Sequence, residues 1–590
     1  MLQHILSRRR CLLLALICLA FGALTMCRSA EAQSSGDRTI PAGYDRGGRH
    51  PNQSRSVVIA RQGMVATSHP LATLAGLDIL RAGGTAADAA IAANAMLCVV
   101  EPMSCGIGGD LFVLYWDAKT QRLYGLNASG RSPYRLHRGV FAEKGLTQIP
   151  TEGPLSWSVP GCVSGWETLR ARFGTKPLAD LLSAAITAAE EGAPVPEVIA
   201  GYWKSAEADL RATPEAAAAF LIDSQRAPRV GEVMKLPQMA ASLRLIAREG
   251  RDAFYKGPIA QKIVQYSQTH GGYFTLADFA DHTDEWVEPV STSYRGYDVW
   301  ELPPNGQGIA ALEMLNVLEQ FDLRALGHNS AEHLHLFIEA KKLAFADRAK
   351  YYADPAFAKL PVDELISKEY GRRQAARIDR SRAATDVPAG DVRLTHGDTI
   401  YLCVVDKDRN CCSLIQSNYF GFGSKHVPGD VGFVLQNRGA LFALDEQHLN
   451  RLEPHKRPFH TIIPAMVTHH GRPWFCFGVM GGDMQAQGHV QVLVNLIDFG
   501  MNVQAAGDAA RVQHVGSATP TGLPAAPDGG TVQVERGISD EVVQQLRAKG
   551  HKVVRARGGF GGYQGILIDW EHGVLHGATE SRKDGVAMGY

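Results

Sequence analysis

The sequence has no excess of charge of either sign: its 590 residues contain 60 Lys and Arg and 60 Asp and Glu, for a formal net charge of +0 at pH 7. Without a basic excess there is no sign of a nucleic-acid partner, and no acidic tract indicates a solvating tail. Beyond the N-terminus no apolar run is as long as a transmembrane helix, so stable membrane insertion is not expected. The 45% hydrophobic content fits a globular protein, either two domains or one large α/β body.

Cysteine is scarce and scattered. Of the ten cysteines, three lie within the first 27 residues, and the rest are Cys98, Cys105, Cys162, Cys403, Cys411, Cys412 and Cys476. This odd number, spread through apolar runs, does not fit a disulfide framework, and no Cys-x-x-Cys pair indicates a zinc site. We expect most of these residues to be small, buried and chemically inert.

Nucleotide and metal signatures are also missing. Gly106-Ile107-Gly108-Gly109 has the wrong spacing for a dinucleotide-binding turn and follows a predicted helix where a strand is required. His333 and His335 are two positions apart on a predicted helix and therefore point to different faces. His469-His470 falls in a predicted turn. Neither pair has a clear third ligand, so we interpret these histidines as solvated or hydrogen-bonded and predict no metal site.

The N-terminus has the pattern of a targeting signal. Arg8–Arg10 form a positive segment, Cys11–Leu24 an apolar segment, and Ala30-Glu31-Ala32 a small-x-small cleavage signal. We predict that residues 1–32 are a signal peptide and that the mature chain begins near Gln33. The protein is then exported, either to the periplasm or out of the cell.

Strand and helix patterns alternate in the C-terminal part of the chain. The predicted strands are 399–406, 411–417, 460–468 and 474–480, and the predicted helices are Gln485–Phe499 and Asp540–Lys549. Upstream, residues 329–350 have the pattern of a long amphipathic helix, and residues 371–396 that of an exposed linker. The order of elements predicts sheets covered by helices, an α/β (α+β) fold class.

Thr399 opens one of these strands directly after the turn signal Gly397-Asp398. If the peptide bond before Thr399 breaks, the new N-terminal residue carries both a nucleophile and a base. The hydroxyl attacks, and the free amine, whose pKa lies near neutrality, accepts its proton. Taken alone, the same stretch also fits an ordinary first residue of a strand.

A second candidate is the glycine pair Gly481-Gly482, between the apolar strand Trp474–Val479 and a predicted helix. Backbone N–H groups at the start of a helix are suited to hold a developing oxyanion. Taken alone, this pair also fits a plain tight turn.

With both features, the chain resembles the γ-glutamyltransferase (glutathione hydrolase) family of N-terminal nucleophile (Ntn) hydrolases, from about Val57 to Tyr590. The order of the matching motifs is specific for the family. They are Gly83–Ala90, Val100–Gly109, Val159-Pro160-Gly161, Phe337–Ala340, Asp354-Pro355, Thr399 with Val404–Asp408, Met480–Gly482 and Arg582–Gly585.

The resemblance implies a four-layer αββα sandwich and a precursor that cleaves itself between Asp398 and Thr399. The products are a large subunit of about residues 33–398 and a small subunit of residues 399–590, which stay together in one body. Thr399 then attacks an amide carbonyl with its own α-amine as the base. No cofactor is needed.

The resemblance also implies the supporting residues. The backbone amides of Gly481 and Gly482 hold the oxyanion of the intermediate. Ser417 and Asn418 stand where the family has Thr and Asn, and they are expected to support the nucleophile.

The substrate contacts of the family are altered in this chain. The positions that bind the γ-glutamyl group fall on Ser129, Arg438, Leu441, His460 and Thr461, and Arg131 follows two residues after the first of them. A buried ammonium without a carboxylate partner is costly, so a leucine in place of the family's Asp argues against a substrate α-amine. Arg131 or Arg438, together with Thr461, remains able to bind an anionic acyl group.

The predicted function is hydrolysis of γ-glutamyl-type amide bonds in small molecules, or transfer of the acyl group, through an acyl-enzyme on Thr399. The alternative is an amidase for an anionic acyl group without the α-amine, similar to glutaryl or cephalosporin acylases or to oxamate amidohydrolase. A binding protein that keeps the fold without catalysis is a third class, and the retained Asp398-Thr399 and Gly481-Gly482 argue against it. The sequence leaves the oligomeric state open.

Overall fold

Two seven-stranded antiparallel sheets form the centre of the computed structural model, which describes residues 53–385, 387 and 397–590. In spatial order, the first sheet contains Val586–Gly589, Met64–Thr67, Gly397–Val405, Cys411–Phe420, Asp110–Asp117, Arg122–Ala128 and Glu285–Val287. The second contains Val58–Ala60, Val574–Thr579, Gly562–Asp569, Arg472–Met480, Ala465–His469, Tyr297–Glu301 and Val290–Tyr294. The predicted signal peptide, residues 1–32, lies outside the described residues.

The strand Gly397–Val405 shows why the two sheets lie face to face. Its side chains alternate between the two faces of the sheet, as in any strand. Leu402 and Val404 belong to the apolar cluster formed with the covering helices. Tyr401 and Val405 belong to a second cluster that includes Ile566 of the opposite sheet. Both faces are therefore buried, and the strand is apolar on both sides.

Helices cover the outer face of each sheet. The apolar cluster on the first sheet involves Pro70–Arg81, Ala86–Val100, Cys162–Phe173, Leu178–Glu191, Glu197–Ser205, Glu207–Arg211, Pro214–Phe220, Pro237–Glu249, Arg251–Tyr255, Pro258–Thr269 and Leu276–Ala280. The cluster on the second involves Gly308–Leu318, Leu323–Leu326, Ala331–Tyr351, Val362–Leu365, Lys368–Ala375, Met484–Ile497, Val503–Asp508 and Asp540–Ala548. The layers are helix, sheet, sheet and helix, which confirms the predicted αββα sandwich.

Smaller elements complete the described part of the chain. A three-stranded sheet contains Val512–Val515, Thr531–Val534 and Lys552–Arg555, and the last two of these strands are parallel. A short ladder pairs Ala193–Pro194 with Val233–Met234. The remaining helical segments are Arg138–Glu143 and the 3-10 turns Pro154–Ser156 and Arg438–Leu441.

Three sequence predictions require correction. The predicted linker 371–396 starts inside the helix Lys368–Ala375, and its residues 386 and 388–396 lie outside the described residues. The helix Ala331–Tyr351 is not amphipathic but buried on nearly all sides, because it packs against both Gly308–Leu318 and Asp540–Ala548. The predicted strand 460–468 is only Ala465–His469, because His460 donates its backbone N–H to a loop carbonyl, that of Asn305.

The expectations for the cysteines and for two of the predicted elements are confirmed. The seven cysteines of the described residues are all buried and unpaired. The strand Gly397–Val405 and the helix Met484–Ile497 lie within two residues of their predicted ends. Across the described ranges, no helix is both long enough and apolar enough to cross a membrane.

Two helical glycines provide a test of how closely these layers pack. A Cβ atom on Gly488 would lie 2.5 Å from Cγ1 of Val479, whereas one on exposed Gly201 would meet nothing within 4 Å. We expect Gly488→Ala to destabilise the protein by about 1–3 kcal/mol through overpacking. Gly201→Ala should stabilise it by about 0.5–1 kcal/mol, because alanine loses less chain entropy in a helix. Thermal unfolding of both variants measures the two effects, and a stable Gly488→Ala protein would contradict this close packing.

Candidate active site

Thr399 lies in a β-bulge. The strand that carries it changes register against its neighbour between Asp398 and Ile400, so that Thr399 stands opposite Ser417 and Asn418. A bulge of this kind re-aims a side chain relative to the regular ladder. Thr399 is 1% exposed. The bulge therefore holds the candidate nucleophile inside the protein, close to two of the residues predicted to support it.

Ser417 contacts the threonine directly. The hydroxyl of Thr399 donates to Oγ of Ser417 at 3.3 Å, and the same Oγ accepts the backbone N–H of Tyr419 at 2.8 Å. In the intact chain the nitrogen of Thr399 belongs to a peptide bond and cannot act as a base. Cleavage before Thr399 would change this nitrogen into an amine on the same residue as the hydroxyl.

Asn418 packs differently. Its amide lies against the glycine turn that ends at Gly109, where an added Cβ would be 2.6 Å from Oδ1 of Asn418. The side chain is fully buried, and within residues 53–385, 387 and 397–590 neither amide atom has a hydrogen-bond partner. The structure therefore brings both predicted supporters beside the bulge, but Thr399 bonds to Ser417.

The pair Gly481-Gly482 lies between the strand Arg472–Met480 and the helix Met484–Ile497. Both glycines have positive φ, +117° at Gly481 and +57° at Gly482. A Cβ on Gly481 would lie 3.1 Å from the Cα of Gly561. Backbone geometry and the close approach of another chain segment thus both require glycine at position 481.

A buried network fixes this turn. The side-chain amide of Gln307 donates to the carbonyl of Gly482 at 3.0 Å and to that of Thr461 at 2.6 Å. Arg348 donates to Oε1 of Gln307 and to Oδ1 of Asp483, each at 2.6 Å. Burial alone would raise the pKa of Asp483, but the Arg348 guanidinium outweighs it and holds that pKa below its usual value.

One cavity connects these groups. It has a volume of about 730 Å³ and is lined by Thr399, Gly481, Gly482, Thr461 and Tyr419, among others. A cavity of this size accommodates a small molecule. The structure thus brings the predicted nucleophile and the predicted oxyanion donors to the same space.

Arg438 is buried behind the cavity wall, in contact with the lining residues Thr461 and Tyr419 but not itself part of the lining. Its Nη1 donates to Oγ1 of Thr461 at 2.7 Å, and the guanidinium lies 4.8 Å from the ring of Tyr419. Burial lowers its pKa to about 10, opposed by the negative charge of Asp110, so the group is charged at neutral pH. Nε and Nη2 have no hydrogen-bond partner among the described residues. A buried cation with unused donors is costly, and an anionic ligand would relieve that cost.

His460 does not line the cavity. Its Nε2 lies 3.0 Å from Oδ2 of Asp110, and the pair is fully buried. Burial, aided by the positive charge of Arg438, keeps the pKa of His460 well below its usual value, so the imidazole is neutral and donates to the carboxylate. His460 therefore lies behind the neighbouring Thr461, and its predicted contact with substrate stays a prediction.

Arg131 also does not line the cavity. Its guanidinium lies 3.0 Å from Glu285 and 3.5 Å from Asp354. Both contacts are ion pairs in which the arginine already has an anion. Arg438, not Arg131, is thus the predicted arginine that the structure brings next to Thr461.

His335 belongs to a buried cluster that the sequence did not reveal. Its Nδ1 lies 2.8 Å from Nε2 of His551, and Glu339 brings a carboxylate oxygen within 4.8 Å of both rings. The two oxygens of Glu339 already contact the ammonium of Lys342 and the backbone N–H of Ala384. These contacts explain why the three side chains lie together: they form a hydrogen-bonded network.

An αββα sandwich with a threonine and a glycine pair facing one cavity is the arrangement of an Ntn amide hydrolase. The chain belongs to the gamma-glutamyltranspeptidase family, whose model matches residues 72–590. It is a hydrolase acting on amide bonds.

Relatives of known name cover nearly all of the chain. The chain is 39% identical to the glutathione hydrolase-like YwrD proenzyme of Bacillus subtilis, over 91% of this chain and 100% of that protein. It is 36% identical to the acylase ACY 1 proenzyme of Pseudomonas sp. strain SE83, over 89% of this chain and 93% of that protein. The crystal structure of cephalosporin acylase from Bacillus halodurans superposes with a TM-score of 0.84 at 43% identity, over 93% of this chain and 99% of that one.

Sequence reasoning missed Gln307, Arg348 and Lys341. Gln307 follows the loop Pro303-Pro304-Asn305-Gly306, and a polar residue in such a turn signals nothing about the distant glycine pair. Arg348 and Lys341 both lie on the helix Ala331–Tyr351, where charged residues are expected to face solvent. Only their burial in the structure identifies them.

The predicted oxyanion role of the glycine pair can be tested with a substitution that shifts its backbone. Gly481→Ala places a side chain at a φ of +117° and should displace the N–H groups from the cavity. Losing one such donor costs about 10²–10³-fold in kcat. The matched control is Gly471→Ala at the other end of the same strand, where φ is +71° and an added Cβ meets nothing within 4 Å. Amide hydrolysis assays should show a large loss only in Gly481→Ala, and equal activities would contradict the oxyanion role.

Proposed function

We propose that the chain is an exported precursor that cleaves itself between Asp398 and Thr399. The signal-like N-terminus supports export, and the relatives named above are proenzymes. Strands from both sides of the cleavage point alternate within the sheets, as where Met64–Thr67 pairs with Gly397–Val405. The large subunit of residues 33–398 and the small subunit of residues 399–590 would thus stay bound by sheet hydrogen bonds after cleavage.

The same hydroxyl serves both steps of the proposed mechanism. In processing, Oγ1 of Thr399 attacks the carbonyl of Asp398, and the acyl group moves from nitrogen to oxygen. Water then hydrolyses this ester, which leaves a carboxyl group on residue 398 and a free amine on Thr399.

In turnover, the Thr399 hydroxyl attacks the substrate amide, and the α-amine accepts the hydroxyl proton. The N–H groups of Gly481 and Gly482 bind the oxyanion of the tetrahedral intermediate. The carbon–nitrogen bond breaks, the leaving amine takes the proton, and the acyl group remains on Thr399 as an ester. Water releases the acid, or a second amine takes the acyl group in transfer.

The acyl group of the proposed substrate carries a carboxylate. The observation behind this choice is Arg438, a buried guanidinium with two unused donors that hydrogen-bonds the cavity-lining Thr461. A carboxylate accepts two parallel hydrogen bonds from such a fork. Ser417 has the proposed role of orienting the Thr399 hydroxyl.

An α-amine on this acyl group has no evident counter-charge. Leu441 is fully buried at the position of the family's amine-binding Asp. The two carboxylates that line the cavity are already paired, Asp483 with Arg348 and Asp528 with Lys552. These features favour a glutaryl-type group over a γ-glutamyl one, in agreement with the similarity to acylases. Hydrolysis of glutathione remains the second candidate because of the similarity to the glutathione hydrolase-like proenzyme.

Processing can be tested at the nucleophile. Thr399→Ala removes the hydroxyl and should leave one uncut chain without amidase activity, whereas Thr399→Ser keeps a hydroxyl and should still be cut. Denaturing gels and N-terminal sequencing measure the outcome. The small subunit of the wild type should begin with Thr399-Ile400-Tyr401-Leu402. Normal cutting of Thr399→Ala would exclude the mechanism, and a stable uncut wild type would favour a binding protein.

Acyl specificity can be tested with three 4-nitroanilides, namely glutaryl, γ-glutamyl and butyryl. We expect the wild type to favour glutaryl over γ-glutamyl, and a strong opposite preference would contradict the absence of an amine site. Arg438→Met should lower kcat/KM for the glutaryl compound about 30-fold or more relative to the butyryl compound, which lacks a carboxylate. This corresponds to about 2 kcal/mol, as for other buried charge pairs. An unchanged ratio would exclude Arg438 from acyl binding.

A further inference from the structure

We propose that Lys341 forms a second anion-binding subsite in the catalytic cavity, one that binds a carboxylate on the amine half of the amide substrate. This inference rests on the proposed function only in taking the cavity of Thr399 as the site of hydrolysis. It concerns the leaving group and is independent of which acyl group the enzyme accepts.

Lys341 is a buried amine in the cavity wall. The residue is 1% exposed, yet it lines the same cavity as Thr399. It extends from the helix Ala331–Tyr351, and its Nζ lies 3.9 Å from the ring centre of Phe345. Lysine is rarely buried to this degree without a carboxylate partner.

The protein contacts of Lys341 are all to neutral groups. Its Nζ donates to Oγ of Ser517 at 2.8 Å and to Nδ1 of His514 at 3.1 Å. His514 is neutral and carries its proton on Nε2, which donates to the carbonyl of Gly529 at 2.8 Å. An ammonium has three donors, so one remains without an acceptor among the described residues.

No carboxylate within the described ranges forms an ion pair with Lys341. Asp483 is the nearby anion, and Arg348 holds it in a two-point contact. Burial, together with the positive charges of Arg348 and Lys342, lowers the pKa of Lys341 well below its usual value, and Asp483 opposes this only in part. A ligand carboxylate would supply the missing anion and stabilise the ammonium form.

A row of contacts connects Arg438 to Lys341 through the glycine turn. Arg438 bonds to Thr461, and the amide of Gln307 links the carbonyl of Thr461 to that of Gly482. Gln307 also accepts from Arg348, and the ring centre of Phe345 lies 3.8 Å from the Arg348 guanidinium and 3.9 Å from Nζ of Lys341. Along this row the glycine pair lies between the two basic groups, with Arg438 at one end and Lys341 at the other.

This order assigns the two cations to the two halves of the substrate. With the scissile carbonyl at Gly481 and Gly482, Arg438 faces the acyl group and Lys341 faces the amine that leaves. Arg557 and Lys583 line the same cavity and add to its positive potential, whereas Lys552 there is paired with Asp528. The substrate class is thus an amide with a carboxylate on each side of the bond that is cut.

The decisive experiment compares two leaving groups on one acyl group. The substrates are a 4-nitroanilide and the matching 3-carboxy-4-nitroanilide, with glutaryl or γ-glutamyl as the acyl group, whichever the processed enzyme hydrolyses. We expect the wild type to favour the carboxylated anilide by about tenfold or more in kcat/KM, as one charge-assisted contact would give. Lys341→Met, which keeps the length of the side chain without its charge, should abolish this preference.

The matched control is Lys350→Met, an exposed lysine on the same helix, which should keep the preference of the wild type. The proposal is overturned if Lys341→Met keeps the preference, if the wild type has none, or if the variant loses activity equally on both anilides. Equal loss would place Lys341 at the reacting bond instead.

A binding measurement separates this proposal from the identity of the acyl group. The free leaving amines, 5-amino-2-nitrobenzoate and 4-nitroaniline, are titrated into the processed wild type and the two variants by calorimetry. The carboxylated amine should bind the wild type and Lys350→Met more tightly than 4-nitroaniline, and Lys341→Met should lose about tenfold in affinity for it alone. Equal binding of both amines by the wild type would overturn the subsite even if glutaryl amides prove to be good substrates.

Discussion

The candidate active site depends on one ion pair, that of the buried Arg348 with Asp483 in the cavity wall. The pair lies where the helix Ala331–Tyr351 meets the start of the helix Met484–Ile497, and through Gln307 it reaches the carbonyl of Gly482. Removal of Asp483 would leave the Arg348 guanidinium uncompensated in the interior, which costs about 3–5 kcal/mol. The glycine turn cannot shift without breaking these contacts, so the position of its N–H groups relative to Thr399 is fixed before substrate arrives.

A second constraint is the balance of charge around the cavity. The chain as a whole has no formal net charge, but the buried groups beside the cavity are mainly basic, and neither Arg438 nor Lys341 has a carboxylate partner in the part of the chain that the structure describes. The anions that line the cavity are neutralised by neighbours. Such an arrangement is costly in the empty protein and favourable with an anionic ligand, so the same residues reduce stability and create specificity.

The sequence was sufficient to predict the family, the fold and the elements that carry the candidate reacting groups. Periodicity located the strand of Thr399 and the helix after the glycine pair to within two residues, because each pattern is local and strongly apolar. It was wrong for the helix Ala331–Tyr351, where charged residues suggested an exposed face. Arg348 and Lys341 lie on that helix but are buried in the interior. There Arg348 pairs with a carboxylate, whereas the hydrogen bonds of Lys341 are to neutral groups.

Thr399, the preceding Asp398 and the pair Gly481-Gly482 are adjacent in the chain to the turns and strands that present them, so the sequence by itself determined the family and the candidates for the nucleophile and the oxyanion turn. Only the tertiary structure decided which of the candidate arginines has a carboxylate partner. Arg131 and Arg438 are equally plausible in the sequence, but Arg131 finds carboxylates at its position and Arg438 does not. The physical reason is that the partners of a charged side chain are residues distant in sequence. Only folding brings those residues close enough to form an ion pair.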